Sequence, residues 1–198
     1  MKPQTLIFAS ANRNKAIEIQ ALLPEGFTVL TMKEIGWQTD IPEPFDSLEA
    51  NSRTKAQTIY TFCGKNVFAE DTGLEVDALN GAPGVKSARY AGEPANDYNN
   101  VEKLLQDLAA ANHRSARFRT IITLIFEEKE YQFEGICTGT IAAKPAGDAG
   151  FGYDPVFIPV GATHTFAQME LAEKNRYSHR KKAVAGMIAF LQKTGASH

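Results

Sequence analysis

No stretch of this 198-residue sequence reads as a membrane span. The first ten residues, Met1 to Ser10, lack both a long apolar run and a small-residue cleavage pattern, so no signal peptide is expected. Cysteine is scarce: Cys63 and Cys137 are the only two, and they read as reduced thiols of a cytosolic protein rather than as a disulfide framework. Charge of one sign is also missing. The net charge is -2, with no long acidic or basic run, which argues against a dedicated nucleic-acid binder with a basic face. A local pocket of Lys and Arg for phosphates remains open. Repeats, low-complexity segments and Pro- or Ser-rich linkers are absent, so one domain is expected over residues 1–198. The expected compartment is the cytoplasm, with no membrane and no nucleic acid as partner.

What is present starts with Phe68-Ala69-Glu70-Asp71-Thr72-Gly73-Leu74, a short apolar strand running into two carboxylates, a hydroxyl and a glycine. Carboxylates are costly at the end of a buried strand unless positive charge meets them. A divalent metal carrying phosphate oxygens is one such partner. The neighbours Glu70 and Asp71 point in different directions. One is free to ligate a metal while the other orients a water or supports a lysine; a solvated turn is the plain alternative. Glu43, in a Pro-rich loop, is a further acid within reach of a metal or simply in solvent.

Periodicity sets the frame. Strands are expected at Thr5–Ala9, Phe27–Leu30 and Val67–Ala69, and a further extended piece at Gly73–Ala78. A helix over Asn12–Leu23 carries a stripe of Ala16, Ile19, Leu22 and Leu23, capped by Ser10 or Asn12. A second helix opens on the capping box Asp46-Ser47-Leu48-Glu49 and ends at Gly64. Pro94 opens a third, with Val101, Leu104, Leu105 and Leu108 inward. Arg117–Phe126 alternates, with Phe118, Thr120, Ile122, Leu124 and Phe126 on one face. A polar tip at Glu127–Glu130 then leads into a return strand from Tyr131 to Ala142. The last helix begins near Ser178 and buries Ala183, Val184, Met187, Ile188 and Leu191. Alternating strands and helices followed by a long hairpin predict an α/β domain with a mixed sheet.

Three further segments bear chemistry. Ser10-Ala11-Asn12-Arg13-Asn14-Lys15 lies between the first strand and helix. A helix N-terminus offers backbone N–H groups and partial positive charge, so this is either a phosphate cradle or an ordinary polar cap. It is not a Walker A loop. Lys55 either lies on the surface or leans over the phosphates. In Phe151-Gly152-Tyr153-Asp154-Pro155, the glycine permits close backbone approach and exposes a ring on which a base could stack; buried core aromatics are the alternative. Ser178-His179-Arg180, preceded by Lys174, puts donors at a helix N-terminus where cations are disfavoured, which suggests that something there requires them.

In their order along the chain, these segments resemble the inosine triphosphate pyrophosphatase family. The motifs are Ser10-x-Asn12-x-x-Lys15, Glu70-Asp71-Thr72-Gly73, Gly81-Ala82-Pro83-Gly84, Ser87-Ala88-Arg89-Tyr90, Phe151-Gly152-Tyr153-Asp154-Pro155 and Ser178-His179-Arg180. The resemblance implies a Maf/Ham-type α/β fold: a mixed central β-sheet flanked by helices, with two lobes and the active site in the cleft between them. It implies hydrolysis of ITP, dITP and XTP to monophosphate and pyrophosphate, with Mg2+ as cofactor, in a homodimer. Asp71 resembles the catalytic base and metal ligand, and Glu43 the second metal-side acid. Ser10, Ala11, Asn12, Arg13, Asn14, Lys15, Lys55 and Thr72 resemble the phosphate-side contacts. Phe151, Gly152, Tyr153, Asp154, Lys174, His179 and Arg180 resemble the base and sugar pocket. Thr72 stands where many bacterial members carry Ser, and Glu70 where some carry Asp, so the resemblance gives Glu70 no fixed role. Pyrophosphatases of similar fold acting on modified pyrimidine or 7-methylguanine nucleotides, and a non-catalytic nucleotide sensor, are the rival readings.

Overall fold

Val67–Val76 forms a single ten-residue strand, where the sequence suggests a short strand, an acidic turn and a separate extended piece. The pair Glu70-Asp71 therefore sits inside a sheet and not at a strand end. The computed structural model describes residues 4–23 and 25–195. Its strands are β1 (Gln4–Phe8), β2 (Phe27–Thr31), β3 (Val67–Val76), β4 (Pro83–Gly84), β5 (Ser115–Phe126), β6 (Lys129–Ile141) and β7 (Phe157–Pro159). Its helices are α1 (Arg13–Gln20), α2 (Leu48–Cys63), α3 (Asp97–Asp107), α4 (Leu171–Tyr177) and α5 (His179–Gly195).

The strands hydrogen-bond in the order β2-β1-β3-β5-β6-β7, with β4 paired to β3. β1 runs parallel to both β2 and β3, whereas β3 with β4 and β6 with β7 are antiparallel, so the sheet is mixed as expected. β5 and β6 form the long hairpin. Its turn is Glu127-Glu128, both with positive φ (49° and 65°), the backbone twist that a two-residue hairpin turn requires.

Two compact units share the chain. The first takes the chain to Asp71, then Thr120–Gly135, then the chain from Arg180 onward; the second takes Thr72–Arg119 and Ile136–His179.

In the first unit the sheet is covered on both faces. Leu6, Phe8, Phe68, Ile122, Leu124 and Phe126 pack with Ile19 of α1 and with Ala183, Val184, Met187 and Leu191 of α5. Ile7, Ala9, Val67, Ala69 and Ile125 pack on the other side with Ala56 and Ile59 of α2. The sequence marks one core face for β5, but Ile121, Thr123 and Ile125 are buried too, because helices cover both sides. α2 is capped by Ser47, whose Oγ accepts from the Ala50 N–H at 3.2 Å, rather than by Asp46. It ends at Gly64, where φ is 60°.

In the second unit, Leu74, Val76, Phe118, Cys137, Ile141 and Phe157 pack with Val101, Leu104 and Leu108 of α3 and with Phe166 and Met169. α3 starts at Asp97 and not at Pro94, because the Asn96 side chain caps it by accepting from the Asn99 N–H. α1 ends at Gln20, short of the expected Leu23, although Ala16, Ile19, Leu22 and Leu23 all join the core. The short elements α4 and β7 carry too few residues to leave a periodic signal.

Candidate active site

The site begins with strand alternation. Glu70 shares a face of β3 with Phe68, toward α1 and α5; Asp71 shares the opposite face with Val67 and Ala69, toward α2. Each acid meets the cations of the helices on its own side.

On the α2 side, Lys55 Nζ lies 3.2 Å from Asp71 Oδ1 and also pairs closely with Glu43 Oε1. Lys55 is thus no surface lysine: it is 8% exposed. Burial alone would lower its pKa, but Asp71 and Glu43 outweigh that and raise it. Asp71 Oδ2 is buried and has no hydrogen-bond partner. Burial pushes the Asp71 carboxyl above its ordinary value; Lys55 pulls it down and Glu43 adds to the rise. The position of α2 is fixed by Ser52, one turn before Lys55, whose Oγ lies 3.2 Å from the Ala69 carbonyl and 2.8 Å from Thr123 Oγ1.

On the other side, Glu70 is fully buried and receives three donors. Arg180 Nε lies 2.7 Å from Oε2, Arg180 Nη2 2.9 Å from Oε1, and Lys15 Nζ 3.0 Å from Oε1. Arg180 Nη1 pairs with Glu18 of α1. Burial by itself would raise the Glu70 carboxyl, but Arg180 and then Lys15 hold it well below the usual carboxylate range. Arg180, expected among the donors that read the base, has its guanidinium on two carboxylates, and at 2% exposure it is a buried ion-pair residue.

The segment Ser10–Lys15 forms the N-terminus of α1. Ser10 Oγ accepts from the Asn12 N–H at 3.1 Å, and Asn12 Oδ1 accepts from the Lys15 N–H at 3.1 Å. Asn12 thus uses the acceptor end of its amide as a cap. Ala11, Asn12, Arg13 and Asn14 are exposed and Lys15 is half-buried. The Arg13 and Asn14 N–H groups begin the helix, where no intrahelical acceptor precedes them. Thr72 is half-buried on β3.

In the second unit, residues 151–154 form a turn built around Asp154. Its Oδ2 accepts from the Phe151 N–H at 3.0 Å and from Lys174 Nζ at 2.7 Å. Lys174, on α4, sits 5.1 Å from the Phe151 ring centroid. Gly150 is required here: its φ is +79°, and a Cβ would fall 2.0 Å from Asp154 Oδ2. Gly152 has a φ of +62°, and a Cβ there would meet no atom of the protein within 4 Å. Its N–H donates to Asp97 Oδ2 at 2.7 Å. Of the two loop rings, Tyr153 is buried in the core with its hydroxyl donating to the Ser87 carbonyl at 2.8 Å, while Phe151 is partly exposed. His179 is buried, stacked on Phe118 with centroids 4.7 Å apart.

The family model described as the Ham1 family matches residues 6–190. The chain belongs to the Ham1 family. It is 48% identical over 187 residues to a dITP/XTP pyrophosphatase of Flavobacterium psychrophilum, covering 94% of this chain and 98% of that one. It is 49% identical over 189 residues to a dITP/XTP pyrophosphatase of Porphyromonas gingivalis, covering 95% and 97%. The structure of the Staphylococcus aureus Ham1 protein superimposes with a TM-score of 0.87 at 35% identity, covering 96% of this chain and all of that one. The expected α/β fold, a mixed sheet with flanking helices, is therefore that of Ham1 proteins.

Two residues of this Ham1-family chain, Glu18 and Asp97, lie outside the motifs of the sequence, and Ser87 lies in the motif Ser87-Ala88-Arg89-Tyr90 without a role given to it there. Glu18 carried a signal, being an acid flanked by Ile17 and Ile19 and placed three residues after Lys15, on the same helix face. Asp97 and Ser87 act on a loop more than fifty residues away in the chain, through contacts that spacing does not reveal.

Proposed function

We propose that this Ham1-family enzyme hydrolyses dITP, ITP and XTP to the monophosphate and pyrophosphate, as a single functional domain over residues 1–198, with water attacking the α-phosphorus. The observation that carries the reading is Asp71: a buried carboxylate, shifted toward stronger basicity, with Oδ2 lacking a hydrogen-bond partner. Such an oxygen suits a group that takes a proton from water or meets a cation. Lys55 and Glu43 orient Asp71 from the α2 side.

The donor set fits Mg2+. Among the described residues no group of three or more His, Cys, Asp or Glu could hold a metal alone. Mg2+ at triphosphate sites commonly takes one or two carboxylates plus substrate phosphates. Asp71 and Glu43 would hold it in that way, and the ion would supply neutralisation of the charge that builds on the phosphate oxygens. Lys15, Lys55 and the N-terminus of α1 (Ser10 to Asn14), with Thr72, are the proposed phosphate contacts.

Phe151 is the proposed stacking surface for a purine, with Gly152, Tyr153 and Asp154 shaping the turn that presents it. Lys174 and His179 are the proposed donors toward the keto oxygen of hypoxanthine or xanthine, which adenine lacks. Arg180, also expected in this role, is assigned first to its ion pairs.

A cytoplasmic homodimer acting on free nucleotides is proposed as well. No helix among the described residues is long and apolar enough to cross a membrane, and the small net negative charge argues against a dedicated nucleic-acid binder. Sedimentation tests the dimer.

The test of function is a panel of dITP, XTP, ITP, GTP, ATP, UTP and dTTP with Mg2+. Pyrophosphate release from the first three, at least tenfold faster than from the others, is the expected outcome. Preference for UTP or dTTP, or no turnover at all, would reject the reading.

A further inference from the structure

We propose that Glu70 is a positioning residue for phosphate binding: anchored by Arg180 on Glu18, it holds the Lys15 ammonium at the N-terminus of α1. The proposal rests on the function assigned above to Lys15 and adds to it a role for Glu70, Arg180 and Glu18.

Lysine is a point charge on a flexible four-carbon stem, and fixing it costs rotamer entropy. Lys15 is held from two directions. Its backbone N–H is capped by Asn12 Oδ1, and its Nζ lies 3.0 Å from Glu70 Oε1. The acid that holds it does not move freely. Glu70 Oε1 and Oε2 take Arg180 Nη2 and Nε at 2.9 and 2.7 Å, the bidentate fork that fixes a carboxylate plane. Arg180 Nη1 is in turn taken by Glu18, which lies one helical turn after Lys15 on α1. The loop of contacts therefore closes on α1: Lys15 to Glu70 on β3, to Arg180 on α5, and back to Glu18.

Two acids and two bases meet in that loop, so its formal charges cancel. A bare lysine would bind phosphate through surplus charge alone. Here Glu70 offsets part of that charge, and the relay's contribution is direction: the ammonium is already placed when a triphosphate arrives. This also explains why Arg180 stands at a helix N-terminus, where the dipole disfavours it.

The test is a double-mutant cycle read on KM for dITP and on calorimetric binding of pyrophosphate with Mg2+. Lys15→Ala should raise KM about tenfold or more, as loss of a charge-assisted contact does. Glu70→Gln should raise KM by a similar factor with a smaller change in kcat, and the same substitution in the Lys15→Ala background should add nothing. Glu18→Gln, which leaves the Glu70–Arg180 pair in place, should raise KM less, and only when Lys15 is present. If Glu70→Gln does not fold, the Glu18→Gln and Lys15→Ala cycle gives the answer. A KM unchanged in Glu70→Gln, or a rise additive with Lys15→Ala, would overturn the relay while leaving the pyrophosphatase reading intact. Failure of that reading would show separately, as a wild-type protein that releases no pyrophosphate from dITP; the pyrophosphate affinities would still decide the relay.

Discussion

Glu70 and Asp71 are adjacent in the chain, yet their carboxylates lie on opposite faces of β3. Glu70 meets Arg180 and Lys15, while Asp71 meets Lys55. One acid is saturated with donors and the other keeps a buried oxygen without a hydrogen-bond partner. The two substitutions that merely exchange oxygen for nitrogen should therefore differ in their effect on stability.

Glu70→Gln should destabilise. It leaves Arg180, 2% exposed, with one carboxylate fewer in a buried network. Breaking a buried pair from one side costs on the order of 3 kcal/mol, or about 6–12 °C in Tm for a chain of this size. Thermal unfolding checks this, and a Tm within about 2 °C of wild type would contradict the assigned pairing.

Asp71→Asn should leave Tm unchanged or raise it, because burial already disfavours the charged form of Asp71 and Lys55 keeps Glu43. Turnover of dITP should fall by about 10²–10⁴-fold, the usual loss with a general base. A variant that turns over at the wild-type rate would remove Asp71 from the chemistry.

The Glu70 pairing also sets an acid limit on stability. Its folded pKa lies below the unfolded value, so its contribution is complete above the unfolded pKa, about 4.3. It is lost as pH falls toward the folded one. The stability difference between wild type and Glu70→Gln should be constant from about pH 7 to 5 and shrink below about 4.3. Denaturant unfolding across that range, in metal-free buffer, is the check; a difference that grows with acid would reverse the sign.

The base side separates stacking from donor recognition. Phe151→Ala should raise KM for every purine triphosphate and leave the ITP-to-ATP ratio in kcat/KM untouched. Lys174→Met should narrow that ratio from at least about tenfold, since a buried donor facing the adenine amino group costs about 1–3 kcal/mol. An unchanged ratio in Lys174→Met would move base recognition elsewhere.

Much of this was readable from residues in order. A cap on α1 from Ser10 or Asn12, the end of α2 at Gly64 and the inward stripe of α5 follow from local chemistry, and the structure has each of them, with Asn12 as the cap. The acidic pair was harder. Seven apolar or small residues around Glu70-Asp71 leave open whether a strand stops or continues there. The deciding fact is that Lys55, Lys15 and Arg180 arrive from 16, 55 and 110 residues away in sequence to meet the charges. Arg180 shows the same limit. Its costly place at a helix N-terminus signalled that it was needed, but its acceptors, Glu70 and Glu18, are set by tertiary packing. The Phe151–Asp154 turn was legible as a site of special backbone, while its tether to Asp97 was not.

The most direct test of the central claim is hydrolysis of dITP in ¹⁸O-labelled water with Mg2+, with the label located by mass spectrometry. Attack on the α-phosphorus predicts unlabelled pyrophosphate and a single ¹⁸O in the monophosphate. Orthophosphate as product, or label in the pyrophosphate, would contradict it.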